Sequence, residues 1–315
     1  MNPSRRRFIK IAAVQTAALA VASPVRLLAS KPSTPLRQWK GIVLGAEASI
    51  QLSCASESQA SRILKACVSE IQRLEKIFSL YDERSSLSAL NRNKQLANPP
   101  TELVELLSFS RSIGQATGGI FDPTIQAVIA AYREHFARNQ DGLSGQLPAA
   151  LASVDFRKIQ ISSEEIRLLN PAASLTLNGV AQGYITDKIA ALLRAEGMGH
   201  TLIDLGEKRA LDSHPSGRSW QLGLANRFGI HDVAELNDRA LSSSGGYGTP
   251  FDPSGKHHHL IDPRTGLSVN HHASVHVVAD TATLADALST ALATCGPEES
   301  KSIEQQFPEA LVFRS

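Results

Sequence analysis

The sequence has few cysteines, few aromatic residues and almost no net charge, and each shortage excludes a class of protein. Its three cysteines lie far apart without a Cys-x-x-Cys pair, which excludes a disulfide scaffold and a cysteine-rich zinc site. Sixteen aromatic residues among 315 argue against a surface built for stacking on nucleic-acid bases. A formal charge of +2 is too small to indicate a polyanionic partner. We therefore expect no nucleic-acid partner.

The apolar run near the N-terminus is too short to cross a membrane. It holds 15 uncharged residues between Lys10 and Arg26, whereas a spanning helix needs about 20. It follows the basic stretch SRRRFIK, and this order resembles a twin-arginine export signal, which a receptor reads. The alternative is a disordered basic tail, although such tails rarely continue into an apolar run. We predict a signal peptide over residues 1–29, a periplasmic location and no stable membrane span in the mature form.

The small positive charge belongs to this N-terminal segment. Residues 1–29 carry five basic residues and no acidic one, so the rest of the chain has 27 basic against 30 acidic side chains. A mildly acidic protein that binds an anion must do so locally, through a bound metal, backbone amides or a few placed side chains.

The remaining sequence predicts a linker over residues 30–40, rich in proline and serine, and one large domain over residues 41–315. Helices and strands are interspersed without a regular βαβ period, which favours an α+β fold with a mixed or antiparallel sheet and flanking helices. Apolar spacing and capping residues predict helices at 57–78, from Thr101, at 183–196, and from Thr281 or Thr283 to Cys295. Strands are predicted at 174–177, 200–205, 220–225 and 274–279.

Four clusters could carry chemistry, and each also has a plainer interpretation. The turn Gly118–Thr124 could be a simple helix stop, and the loop Asn178–Tyr184 could be a tight turn without a ligand. The serine, glycine and histidine stretch over residues 242–266 could hold solvated histidines. The helix Thr283–Thr290 could be an ordinary alanine-rich helix with an acid near its N-terminus.

Two of these clusters have features that suit a metal or a phosphate. Asp286 and Thr290 are four residues apart, so a carboxylate and a hydroxyl share one helix face. Both are hard oxygen ligands, suited to Mg²⁺ or Ca²⁺. Glycines in the loop before Gly183 free backbone groups to face a phosphate or a metal. Three consecutive histidines cannot all face one metal from a strand, so a zinc site there is the weaker interpretation.

In order and spacing, these segments resemble the ApbE family of FAD:protein FMN transferases over about residues 41–295. The stretch FSLY followed by SLSALN resembles the family's FS-x-Y and S-x-L-N segment. The other matching segments are Gly118–Thr124, Asn178–Asp187, Leu205–Glu207, Ser244–Gly266 and Thr281–Leu292. The resemblance implies that FAD is the substrate and that FMN is transferred to a threonine or serine hydroxyl of an exported or membrane-bound acceptor flavoprotein, with release of AMP.

The resemblance also implies roles for individual residues. Asp286 and Thr290, with the Gly179 carbonyl and Ser289, would hold Mg²⁺, and His259 would act as general base for the acceptor hydroxyl. The positions that would contact FAD are Tyr81, Ile120, Phe121, Asp122, Thr176, Gln182 and Ile261.

Two of these positions depart from the family pattern. Thr176 stands where the family has an aspartate, and Gln182 stands where it has a lysine. The local charge is kept, but a carboxylate and an ammonium are both lost. Two alternatives to the transferase therefore stay open: an FAD pyrophosphatase that gives FMN and AMP, and a non-catalytic flavin-binding assembly factor.

Overall fold

The computed structural model describes residues 35–54, 56–138 and 145–315. The predicted signal peptide over residues 1–29 and the first part of the predicted linker lie outside the described residues. The linker residues from Leu36 onward belong to the first strand, so the folded part begins before the predicted boundary at residue 41. The prolines and serines that suggest a linker lie before this strand. The strand itself was not predicted from the sequence.

The described chain alternates irregularly between helices and strands. The helices are α1 (Glu57–Phe78), α2 (Ser86–Asn93), α3 (Thr101–Ala116), α4 (Gln126–Ala137), α5 (Leu147–Leu151), α6 (Ala181–Ala195), α7 (Ala282–Ala293) and α8 (Pro297–Gln306). The strands are β1 (Leu36–Val43), β2 (Ala46–Ser53), β3 (Gln95–Ala97), β4 (Ile159–Ile161), β5 (Glu165–Leu168), β6 (Thr201–Asp204), β7 (Lys208–Leu211), β8 (Trp220–Asn226), β9 (Gly229–Leu236), β10 (Ala240–Ser244), β11 (Val275–Ala279) and β12 (Leu311–Arg314).

A seven-stranded sheet organises the molecule, in the order β1-β2-β6-β7-β10-β11-β12. Every neighbouring pair in this sheet is antiparallel. A small sheet, β3-β5-β4, and the hairpin β8-β9 stand beside it. The predicted α+β fold is confirmed, and its main sheet is antiparallel.

Helices cover one face of the sheet and the β8-β9 hairpin covers the other. α7 packs against β10, β11 and α6, and α1 packs against α6. The apolar spacing along α1 produces its buried face, and the Ser56 side chain caps its start by accepting from the Gln59 amide at 3.3 Å. Trp220 and Leu224 of the hairpin pack with Leu241 and Val278 on the opposite face. All three cysteines are buried and free.

Most predicted elements are found within a residue or two of their expected bounds, but two details differ. α3 has Pro100 at its N-cap position, with Thr101 as its first residue. The predicted strand at 174–177 is wrong, because only Ser174 forms a bridge, to Ile125, and the segment is held by other contacts. Thr281 caps α7, accepting from the Leu284 amide at 3.2 Å. Among the described residues, no helix is both long and apolar enough to cross a membrane.

Candidate active site

The start of α6 meets α7 at a very close approach, and Asp286 lies at this crossing. The Gly183 amide donates to Asp286 Oδ2 at 3.1 Å, and the aspartate is 97% buried. A methyl group added at Gly183 would lie 2.3 Å from the carbonyl oxygen of Ala282, so only glycine permits this contact. The crossing therefore fixes one carboxylate against the backbone of the Asn178–Tyr184 loop.

Gly179 and Thr290 form a second close contact one helical turn further along α7. A methyl group added at Gly179 would lie 2.8 Å from Thr290 Oγ1. The four-residue spacing thus places the hydroxyl of Thr290 beside the loop and on the same helix face as Asp286. These three predicted metal-binding residues are brought together.

Ser289 is engaged differently. Its Oγ lies 2.9 Å from Ser242 Oγ and 2.8 Å from Ser244 Oγ, and it donates to the Asp286 carbonyl at 3.1 Å. Ser289 therefore ties α7 to strand β10, and its hydroxyl is already hydrogen-bonded. Its predicted role as a metal ligand stays a prediction, with Asp286, Thr290 and Gly179 the better placed donors.

The electrostatics of the crossing are dominated by buried acids. Burial raises the pKa of Asp286 well above its usual range, and the charge of Glu207 raises it further. Burial likewise raises the pKa of Glu207 to about 7. The nearby Lys208 pairs with Asp204 at 3.6 Å. The charge of Lys208 lowers the pKa of Glu207, but neither Glu207 nor Asp286 forms an ion pair with a lysine or arginine of the described chain.

Of the two positions that depart from the family pattern, Thr176 lies just before this loop and Gln182 lies in the first turn of α6. The Gln182 amide donates to the Leu205 carbonyl at 3.4 Å and packs on Gly206, where a methyl group would lie 2.3 Å from Nε2. The positive φ of +99° at Gly206 also favours glycine. The Thr176 hydroxyl accepts from the Asn178 amide at 3.2 Å. Gln182 thus links the loop to the β6-β7 turn by a neutral contact.

The turn Gly118–Thr124 lies next to this loop, because the Thr176 amide donates to the Pro123 carbonyl at 2.8 Å. Asp122 accepts from the Thr124 amide at 2.7 Å and from the Phe156 amide at 3.0 Å, and burial raises its pKa. The side chains of Ile120 and Phe121 lie in the main core. Contact between this turn and FAD stays a prediction, and the core position of both side chains leaves their backbone as the part available for it.

The three consecutive histidines lie in different surroundings. His257 packs against the rings of Tyr132 and Phe136, whereas His258 Nε2 lies 3.1 Å from Asn270 Oδ1. His259 has a buried Nδ1 without a hydrogen-bond partner, and burial together with the adjacent His258 lowers its pKa to about 4.

The three imidazoles therefore have different partners, and a zinc site at them stays the weaker interpretation. In the part of the chain that the structure describes, no group of three histidine, cysteine, aspartate or glutamate side chains could hold a metal ion.

The other two predicted FAD contacts lie at opposite extremes of exposure. Ile261 is buried against Val128, Ile129 and Tyr132 of α4 and the adjoining cluster. Tyr81 is 48% exposed in the turn after α1. The structure does not test either role.

Several residues that position the site were not predicted from the sequence. The Asn91 side chain donates to the Leu175 carbonyl at 2.8 Å and accepts from its amide at 2.6 Å, which holds the segment before the loop. The Asp187 carboxylate accepts from the amides of Ala282 and Thr283 at 2.9 and 2.8 Å and caps α7. Asn91 and Asp187 both lie within the segments that resemble the family, and this resemblance is the signal in the sequence that could have indicated them. Glu207 lies in the matched segment Leu205–Glu207, and the glycine turn there does not indicate a buried acid.

Comparison with known proteins agrees with this arrangement. The model of the ApbE family matches residues 44–313. The FAD:protein FMN transferase of Treponema pallidum is 28% identical over 264 residues, covering 76% of this chain and 72% of its own. The enzyme of the same name from Escherichia coli K12 is 27% identical over 251 residues, covering 73% and 70%. The chain therefore belongs to the ApbE family.

Solved structures show the same fold. The apo flavinyl transferase ApbE of Pseudomonas stutzeri superposes with a TM-score of 0.76 at 23% identity, covering 89% of this chain and 90% of its own. The ApbE protein of Thermotoga maritima gives a TM-score of 0.78 at 23% identity, covering 89% and 94%.

Proposed function

We propose that this chain transfers FMN from FAD to a threonine or serine hydroxyl of an acceptor protein and releases AMP, with Mg²⁺ as cofactor. The observation that carries the proposal is the crossing of α6 and α7, where Asp286 is buried beside Gly179 and Thr290 without a positively charged partner. The relatives named FAD:protein FMN transferase supply the reaction.

The residues at the crossing fit a hard divalent cation. A buried carboxylate is costly without a compensating charge, and Mg²⁺ is bound by few carboxylates together with other oxygens and water. Asp286, the Thr290 hydroxyl and the Gly179 carbonyl would hold it. When bound, Mg²⁺ neutralises the FAD pyrophosphate and the charge that develops on the phosphoryl oxygens.

The transfer itself is a phosphoryl substitution. The acceptor hydroxyl oxygen forms a bond to the phosphorus of the FMN half, the bond from that phosphorus to the bridging oxygen breaks, and AMP leaves with this oxygen. The hydroxyl proton passes to the base, for which we propose His259. Its lowered pKa keeps the imidazole neutral at pH 7, so it can accept a proton, although as a weaker base than an exposed histidine.

Binding of the flavin is assigned to the residues around the crossing. The turn Gly118–Thr124 is joined to Thr176 by a hydrogen bond, and Gln182 is hydrogen-bonded to Leu205 at the start of the β6-β7 turn. Tyr81 and Ile261 complete the proposed contacts. Gln182 offers an amide where a positive charge is lost, so it contributes hydrogen bonding and no charge to the anionic substrate.

The test is mass spectrometry of a candidate acceptor flavoprotein after incubation with FAD, Mg²⁺ and the enzyme. A mass increase equal to FMN minus water, with release of AMP, is expected for the wild type and not for Asp286→Ala. FMN and AMP without a modified acceptor would identify an FAD pyrophosphatase. Bound FAD without turnover under any divalent cation would identify a flavin-binding assembly factor.

We also propose that the chain works in the periplasm on exported or membrane-bound acceptors. The basic and apolar order of residues 1–29 supports export by the twin-arginine route. Replacement of Arg5, Arg6 and Arg7 by lysine should keep the protein in the cytoplasm. Export of that variant at the wild-type level would contradict the proposal.

A further inference from the structure

Glu207 lies in the turn between β6 and β7 and is buried like a core residue. Its relative exposure is 7%, and its Oε2 atom is buried without any hydrogen-bond partner. The hydroxyl of Ser242 and the backbone of Ser243 are the polar groups beside the carboxylate. Buried carboxylates are normally fully paired, so this one requires a specific explanation.

Glu207 and Asp286 are linked through the same neighbours. The hydroxyl of Ser242, beside Glu207, contacts Ser289 Oγ at 2.9 Å, and Ser289 donates to the Asp286 carbonyl at 3.1 Å. The N-terminal half of α6 contacts both residues, since its Gly183 amide donates to the Asp286 carboxylate and its Thr186 hydroxyl donates to the backbone carbonyl of Glu207 at 3.5 Å. The two carboxylates also repel each other, which helps to raise the pKa of Asp286.

The basic residues that follow Glu207 form ion pairs with other acids, although the charge of Lys208 also lowers the pKa of Glu207. Lys208 contacts Asp204 at 3.6 Å, and Arg209 contacts Asp238 at 3.3 Å. Two neighbouring buried acids that form no ion pair within the described chain have two physical solutions: a proton retained between them, or a divalent cation that both bind.

We infer that Glu207 supplies a second carboxylate to the cation centre of Asp286, Thr290 and Gly179, bound directly or through one water. The inference rests on the proposed Mg²⁺ dependence and adds a residue to it. Its unpartnered oxygen favours the cation over the shared proton, because a shared proton would place that oxygen within hydrogen-bonding distance of a donor.

The experiment measures metal binding without turnover. Mg²⁺ and Mn²⁺ are each titrated calorimetrically into the full chain as the wild type, Glu207→Gln, Asp286→Asn and the control Glu164→Gln. Glu164 is exposed in the turn between β4 and β5. We expect affinity to fall about 10- to 100-fold in Glu207→Gln, to be lost in Asp286→Asn, and to be unchanged in the control.

Each outcome bears on a different claim. Wild-type affinity in a folded Glu207→Gln variant would overturn this inference and leave the proposed function intact. Absence of Mg²⁺ and Mn²⁺ binding by the wild type would overturn the metal dependence of the proposed function as well.

Should Glu207→Gln not fold, crystals of the wild-type enzyme soaked in Mn²⁺ give the answer by anomalous scattering. The ion is expected within about 5 Å of a Glu207 carboxylate oxygen, the reach of direct binding or of one bridging water. An ion farther than that from both oxygens would overturn the inference.

Discussion

Replacement of Gly183 by alanine tests whether the approach of α6 to α7 holds the site together. The added methyl group would lie 2.3 Å from the Ala282 carbonyl oxygen, 2.6 Å from its carbon and 2.9 Å from Asp286 Cβ. Two of these atoms belong to the backbone of α7, so one helix must move. Overpacking of this kind costs about 1–3 kcal/mol, and the higher helix propensity of alanine offsets up to about 1 kcal/mol.

We therefore expect Gly183→Ala to lose about 1–2 kcal/mol of unfolding free energy. That loss corresponds to a melting temperature lower by roughly 2–8 °C. Displacement of Asp286 should also weaken Mg²⁺ binding by about 10-fold or more. Differential scanning calorimetry and calorimetric titration with Mg²⁺ measure the two effects.

The matched control is Gly145→Ala, where a methyl group would meet no atom of the described residues within 4 Å. It should leave both stability and Mg²⁺ affinity unchanged. A Gly183→Ala protein with the wild-type melting temperature and wild-type Mg²⁺ affinity would refute the reasoning, since it would show that the helices are not in fixed contact at Asp286.

Three further perturbations test the supports of the site. Asn91→Ala removes both hydrogen bonds to Leu175 and should lower the free energy of unfolding in urea by about 1–3 kcal/mol. It should also weaken FAD binding, measured by fluorescence titration. Unchanged FAD affinity would contradict the role of this segment. Asp187→Ala uncaps α7 and should cost about 1–2 kcal/mol in the same assay, whereas wild-type stability would argue against the cap. Burial lowers the pKa of His276 from 6.5 to about 4, so the unfolded chain binds a proton that the folded chain does not. His276 alone should therefore lower the free energy of unfolding by about 3 kcal/mol as the pH decreases from 6.5 to 4. His276→Gln should make this free energy depend less steeply on pH. An unchanged pH dependence would contradict the prediction.

The bounds of helices are predicted well from the sequence where apolar spacing or a capping residue marks them. α1 and α7 lie within two residues of their predicted bounds, because apolar spacing indicates α1 and a threonine cap marks the start of α7. The segment at 174–177 has the composition of a strand, but Asn91 and Pro123 bind its backbone instead of a neighbouring strand. Such a long-range side-chain contact leaves no periodic signal.

The candidate site could be predicted only as a set of residues. The spacing of Asp286 and Thr290 places them on one face, but the contact with Gly179 depends on how two helices cross. Glu207 gives no local signal, because the burial that makes it unusual arises from strand β10 and from the α6 turn. A buried acid in a surface-like sequence context is visible only in three dimensions.

The burial of α7 has a consequence for how the site exchanges its contents. Ten of its twelve residues are buried, between the sheet and α6. A helix enclosed in this way opens only when the domain unfolds, so its amide protons should exchange with solvent at the slowest rates in the molecule. Asp286 and Thr290, the metal ligands that we propose on α7, should therefore stay in place during turnover. Any movement that lets FAD enter or AMP leave is therefore expected outside this helix.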